Sequence, residues 1–110
     1  MIFVIVVTTE NIPGKKVVEV KGQVFGVVVR ARGIGKDIMA GLRGLIGGEI
    51  KEYTEMIEDA RRQAIDRMVK NANLMGANAI VMMRFDSSSI MSNMSEIVAF
   101  GTAVVIEDCK

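Results

Sequence analysis

The segment Glu96-Ile97-Val98-Ala99-Phe100-Gly101-Thr102-Ala103-Val104-Val105-Ile106 reads as a strand that is apolar on both faces. Successive side chains of a strand point to opposite sides. One face therefore carries Val98, Phe100, Thr102, Val104 and Ile106, and the other carries Ile97, Ala99, Gly101, Ala103 and Val105. A strand with one wet face alternates apolar with polar residues. This one does not, so both faces call for cover. The chain has one long helical pattern to supply it. The second cover is expected from other copies of the same chain, which makes a homo-oligomer the first expectation.

Composition points the same way. The chain has 110 residues, enough for a single domain spanning 1–110, with no internal repeat, linker or boundary. Half of it is hydrophobic, and the mean hydropathy is +0.34. A domain this small keeps a high surface-to-volume ratio, so that apolar content would face water without association. Fourteen basic and 13 acidic residues leave a net charge of +1. Nucleic-acid binding needs a gathered basic excess, and anionic membranes need a polybasic run; neither is present. No apolar stretch approaches the ~20 residues of a membrane span. The apolar N-terminus, Met1 to Val7, lacks a basic flank, is short for a signal core and reads as a strand. A soluble, cytoplasmic protein is expected. The single cysteine, Cys109, rules out an intrachain disulfide and suits a reducing compartment.

Along the chain, Ile2 to Thr8 reads as a strand and Asn11-Ile12-Pro13-Gly14 as a turn. Lys16 to Arg32 is extended, either one bent strand or two short ones. Gly22 and Gly26 within it mark bulges or close backbone approach. Gly33 to Gly48 suits a short helix, in which Gly41 and Gly44 would each cost about 1 kcal/mol. From Glu49 to Met75 the residues Tyr53, Ile57, Ala60, Ala64, Met68, Ala72 and Met75 form a stripe at helical spacing. Glu58 with Arg62 and Asp66 with Lys70 are acid-before-base pairs four apart. Lys70 suits the negative end of the helix dipole, and Gly76 is placed to cap the helix. Asn78 to Phe85 reads as a strand, Asp86 to Ser95 as a serine-rich loop, and the tail strand closes the domain. The expected class is α+β, a mainly antiparallel sheet with one long helix on one face.

Several local patterns carry a family resemblance. They are Thr8-Thr9 with Ile12-Pro13-Gly14, then Gly47-Gly48-Glu49 with Tyr53, Arg61 with Ala64, Gly76-Ala77-Asn78-Ala79, and Phe100-Gly101-Thr102-Ala103-Val104. In order and spacing they resemble the YbjQ-like proteins, a family of small bacterial and archaeal proteins of uncharacterised role. The resemblance covers nearly the whole chain. It implies a subunit shaped like a dodecin subunit, assembled as a homo-oligomeric ring, typically a pentamer. It also implies a heavy-metal-binding label.

The residues themselves offer little to a heavy metal. Zinc and copper sites draw on His and Cys, and the chain has no His. Asp108 and Cys109 could supply a carboxylate and a thiolate, but a polar tail with a free thiol is the plainer reading. Met91 and Met94, near Met82 and Met83, could offer thioethers to Cu(I), although methionine more often fills cores and contact surfaces. A phosphate loop at Gly33-Ile34-Gly35-Lys36-Asp37 fails, lacking glycine at Arg30 and Ser or Thr at Asp37. Glu49, Tyr53 and Arg61 could frame a polar pocket on the helix, with Asn78 and Thr102 as further ligand-binding candidates. Each has a plainer role: helix capping, core packing, ion pairing, turn formation or sheet packing. No nucleophile–base pair stands at a diagnostic spacing, so no catalytic residue is assigned and no cofactor is implied. A non-catalytic binder of a small ligand or metal at subunit interfaces is expected. A purely structural ring, and an enzyme completed across an interface, are the alternatives.

Overall fold

A computed structural model of the chain describes residues 4–31, 51–91 and 94–109. The short helix expected before Gly48, the glycine–lysine loop, and Glu49 lie outside them. The described elements are β1 (Ile5–Val6), β2 (Lys15–Ala31), α1 (Lys51–Leu74), β3 (Ala79–Met91) and β4 (Met94–Asp108). The strands form one sheet in the order β1-β3-β4-β2. The β1–β3 pair is parallel and the other two pairs are antiparallel. The architecture is α+β, one helix packed on a mainly antiparallel sheet. No described helix is long and apolar enough to cross a membrane.

The stretch expected as one bent strand or two short ones is a single 17-residue strand. Its register against β4 shifts between Val17 and Glu19 and again between Val20 and Gly22. Gly22 takes a φ of +122° at the second shift, a conformation that glycine adopts at little cost.

The serine-rich segment is a correction. It is not a loop: β3 runs on to Met91, and Ser87, Ser88 and Ser89 pair with Ile97, Glu96 and Ser95 of β4. A continuous ladder satisfies the backbone groups there, and that outweighs the weak strand preference of serine. The β3–β4 pair thus forms a long arm. A bulge interrupts it, where Met82 has a φ of 55° and the register shifts between Val81 and Arg84. The chain after β1 anchors this bulge: Met82 N donates to Thr9 O at 3.0 Å and Met83 N to Val7 O at 3.0 Å.

The helical stripe is buried as its spacing predicts. Ala60, Ala64, Met68 and Ala72 are all at or below 1% exposure. Gly76, with φ +83°, ends the helix. Gly76 N donates to Asn73 O at 3.0 Å and Ala77 N to Ala72 O at 3.1 Å, the paired bonds of a glycine-terminated helix. Glu58 and Arg62 pair at 3.7 Å. Lys70 falls short of the last turn, which carries no basic residue. Two side chains of the helix reach the edge strand β2. Arg67 Nη1 donates to Val27 O at 2.6 Å, and Asn71 Nδ2 donates to Phe25 O at 2.9 Å. Helix side chains thus take two carbonyls of an edge that would otherwise be open to strand addition.

The two faces of the sheet differ. Under the helix, Val24 and Val28 of β2 meet Ile80 and Met83 of β3 and Ile97, Ala99 and Ala103 of β4. On the far face a smaller cluster of Ala79, Val81, Val104 and Ile106 is covered by Val7 and Ile12, from the segment leaving β1. Farther toward the arm, Phe25 and Val29 are about half exposed, at 53% and 51%. Among the described residues, the second face of β4 is therefore covered at one end only.

Candidate functional site

The helix-facing row of β2 runs Gly22, Val24, Gly26, Val28 and Arg30, partnered on β4 by Ala103, Gly101, Ala99, Ile97 and Ser95. The same register places Phe85, Ser87 and Ser89 of β3 beside Ala99, Ile97 and Ser95. The row changes from small and apolar to polar as it enters the arm. There the N-terminal half of α1 stands over it and leaves a cleft of about 310 Å³.

Met56, Ile57 and Ala60 of the helix, with Ile97 of the sheet, make the apolar wall. Ser87, Ser88, Ser89 and Ser95 of the arm, with Arg30 and Arg61, make the polar one. Arg30 is steered by Asp59, whose Oδ2 accepts from Arg30 Nη2 at 3.3 Å and from Gln63 Nε2 at 3.0 Å. Its Nε is buried and finds no partner among the described residues. Arg61 lies over the Phe85 ring, its Cζ 4.9 Å from the centroid, a cation–π contact. Among the described residues no carboxylate lines the cleft, so its described polar wall is made of arginine and serine.

The residues singled out from sequence are dispersed. Glu49 is outside the described residues. Tyr53 falls in the first turn of α1, with its side chain outside them. Arg61 lines the cleft. Thr102 sits mid-strand on the far face of β4, opposite Gln23 and Val81. Asn78 lies just past the helix exit, by Val104. From Ile97 to Val104 is about 23 Å along β4, too far for one small ligand to touch both Arg61 and Asn78. The amide of Asn78 is engaged on both sides: Nδ2 donates to Ile106 O at 3.0 Å and Oδ1 accepts from Ile106 N at 2.7 Å. It extends the β3–β4 ladder by one side-chain pair. Asn78→Ala is expected to cost about 2 kcal/mol in a urea titration, from two bonds of about 1 kcal/mol each. Unchanged stability in that titration would refute this structural role.

Arg30 and the arm serines escaped the sequence reading. The visible signal for Arg30 was its place as the last member of an otherwise apolar, helix-facing row. The serines continue the alternation of Phe85 into the arm.

The metal candidates do not converge. Asp108 is paired with Lys15, whose hydrogen bond and positive charge hold its carboxyl below the usual aspartate range. The Cys109 thiol is exposed, and its backbone N–H donates to Gly14 O at 3.0 Å. Met83 is buried while its neighbour Met82 is exposed. Among the described residues no three His, Cys, Asp or Glu side chains come together. This donor set does not fit a thiolate- or imidazole-loving metal.

Residues 4–107 match a family described as "putative heavy-metal-binding". A UPF0145 protein of Bradyrhizobium sp. (strain ORS 278) is 64% identical over 106 residues, 96% of each chain. A UPF0145 protein of Saccharolobus solfataricus is 58% identical over 94% of this chain and 91% of its own. One of Thermoplasma acidophilum is 56% identical over 96% of this chain and 88% of its own. Among solved structures, a protein of unknown function from the DUF74 family of Pediococcus pentosaceus superposes with a TM-score of 0.63. It is 15% identical and covers 94% of this chain and 98% of that one. That likeness is one of fold.

Proposed function

The chain belongs to the YbjQ-like family, and from that premise we propose that it is a non-catalytic, homo-oligomeric protein that binds a small ligand in the cleft between α1 and the β3–β4 arm. The observation that carries this reading is the cleft itself, where two arginines and four serines stand against an aliphatic wall. Its described lining holds no His, Cys, Asp, Glu or Lys, so no side chain there is suited to proton transfer near neutral pH. Binding without turnover is what such a lining supports. The heavy-metal description finds no matching donors here, and the ligand is read as organic rather than as a metal ion.

Assembly is the second half of the proposal. The half-exposed far face near Phe25, Val27, Val98 and Phe100 is the surface other copies cover. A ring is the closed arrangement that a head-to-tail contact generates, and the family resemblance favours a pentamer. The cytoplasm, with its reduced thiols, is the compartment that suits the lone cysteine. The same apolar face gives some support to a purely structural ring as a second reading.

Native mass spectrometry of the protein as purified, with elemental analysis of the same sample, tests both halves. An oligomer mass carrying a stoichiometric organic species is the expected result. A stoichiometric metal would overturn the organic reading. A monomer at micromolar concentration would overturn the assembly.

A further inference from the structure

We infer that the ligand class taken by the cleft is a small amphipathic oxyanion, a carboxylate or phosphate group on a short apolar body. This rests on the reading of the cleft as the binding site.

The polar wall selects the sign of charge. Among the described residues, Arg30 and Arg61 line the cleft and no carboxylate does. Asp59, beside Arg30, already accepts from both Arg30 and Gln63. A ligand cation would meet two guanidiniums and no carboxylate among the described lining residues. A neutral ligand would leave their donors unanswered. The buried Arg30 Nε finds no acceptor among the described residues, which leaves this guanidinium short of hydrogen-bond partners. Arg61 lies over Phe85, and a guanidinium engaged through its face keeps N–H donors at its edge. That edge matches the paired oxygens of a carboxylate or phosphate. Ser87 and Ser95 also line the cleft, and a serine hydroxyl is a short, rotatable donor.

The other wall selects the body. Met56, Ile57, Ala60 and Ile97 present no hydrogen-bonding side chain, so a bare inorganic anion would leave that surface wet. A volume of about 310 Å³ is at the small end of ligand pockets. It holds roughly ten water-sized groups, the size of a medium-chain fatty acid or a small aryl acid rather than a dinucleotide.

The test is a methyl-labelled NMR titration of the full chain with octanoate, octyl phosphate, octylammonium and inorganic phosphate. Octanoate and octyl phosphate are expected to shift the Ile57 and Ile97 methyls saturably, at one ligand per subunit. Octylammonium and inorganic phosphate are expected to leave them in place. Arg61→Gln and Arg30→Gln should each weaken octanoate about tenfold, the loss of one charge-assisted contact. Arg61 is exposed, so its replacement reads binding even where Arg30→Gln disturbs folding. Octylammonium binding as tightly as octanoate, or octanoate indifferent to both replacements, overturns the oxyanion class while the cleft remains a site. Inorganic phosphate binding as tightly as octyl phosphate overturns the apolar body. If no probe moves these methyls at millimolar concentration, both the class and the cleft reading fall.

Discussion

Gly26→Val is expected to unfold the subunit near physiological temperature, and Gly26→Ala to cost about 3 kcal/mol or more. A Cβ built on Gly26 would lie 2.2 Å from Ala64 O and 2.4 Å from Met68 N. Both are backbone atoms of α1, so no rotamer change relieves the contact. The helix itself must retreat by about 1 Å or more. A gap of 0.5–1 Å forfeits a quarter to a half of the dispersion attraction along its whole buried stripe. That stripe is built for close approach, with Ala60, Ala64 and Ala72 flanking Met68. Retreat would also stretch the bonds from Arg67 to Val27 O and from Asn71 to Phe25 O. Against a total stability of about 5–15 kcal/mol, such losses leave little. Helical circular dichroism followed through a urea titration measures the effect. Two other glycines grade the series. At Gly101 the nearest contact is a side-chain carbon, Ile80 Cγ2 at 2.7 Å, and at Gly14 nothing lies within 4 Å. The expected order of loss on alanine substitution is Gly26, then Gly101, then Gly14, where only the positive φ of +78° sets the cost. Gly26→Ala within about 0.5 kcal/mol of the parent protein would refute this account of helix docking.

How much of this was legible in the sequence depends on whether a signal was local or long-range. The helix stripe and its glycine cap were legible, because 3.6-residue periodicity and a positive-φ terminus are written within one segment. The class followed from the order of elements. Gly22 and Gly26 both read as bulge or close approach. The structure divides the two meanings: Gly22 sits at a register shift and Gly26 beneath the helix. Nothing local distinguishes them, since the second depends on which helix residue arrives overhead. The serine arm was misread for the same reason. Ser87, Ser88 and Ser89 have neutral propensity, and only their pairing with β4 makes them a strand. The candidate cleft is assembled from that arm, so missing the arm concealed Arg30 and the serines as site residues. Arg61 was found by its place on the helix, without its contact to Phe85. Cover for both faces of β4 was a sound demand. The structure meets it on the helix side and, at the Val104–Ile106 end, with Val7 and Ile12.

The uncovered remainder of that second face yields the last prediction. Phe25→Glu is expected to leave the subunit folded and to break its assembly, whereas Ala103→Glu is expected to prevent folding. From sequence, Ala103 lies on a strand face that calls for cover by the helix or by another copy, so glutamate there would break folding in the one case and assembly in the other. The structure separates those outcomes, because Ala103 is fully buried within the subunit, on the row beneath α1. A carboxylate there has no partner and no room, and an unpaired buried charge costs several kcal/mol. Phe25 is 53% exposed in the subunit, so a polar replacement has little to disturb there. It shares a groove with Val27, Val98 and Phe100, edged by Asp86 and Glu96. A third carboxylate beside those two would have to be desolvated, next to like charge, whenever another copy covers the groove. Losing the aromatic anchor of an interface typically costs 2 kcal/mol or more, and the added charge deepens that loss. Sedimentation velocity at fixed subunit concentration, with circular dichroism on the same samples, reads both properties. The expected pattern is a helical monomer for Phe25→Glu and loss of helical signal for Ala103→Glu. An oligomer of unchanged mass for Phe25→Glu would remove this face from the interface. A soluble, helical Ala103→Glu would instead contradict the packing of α1 on β4.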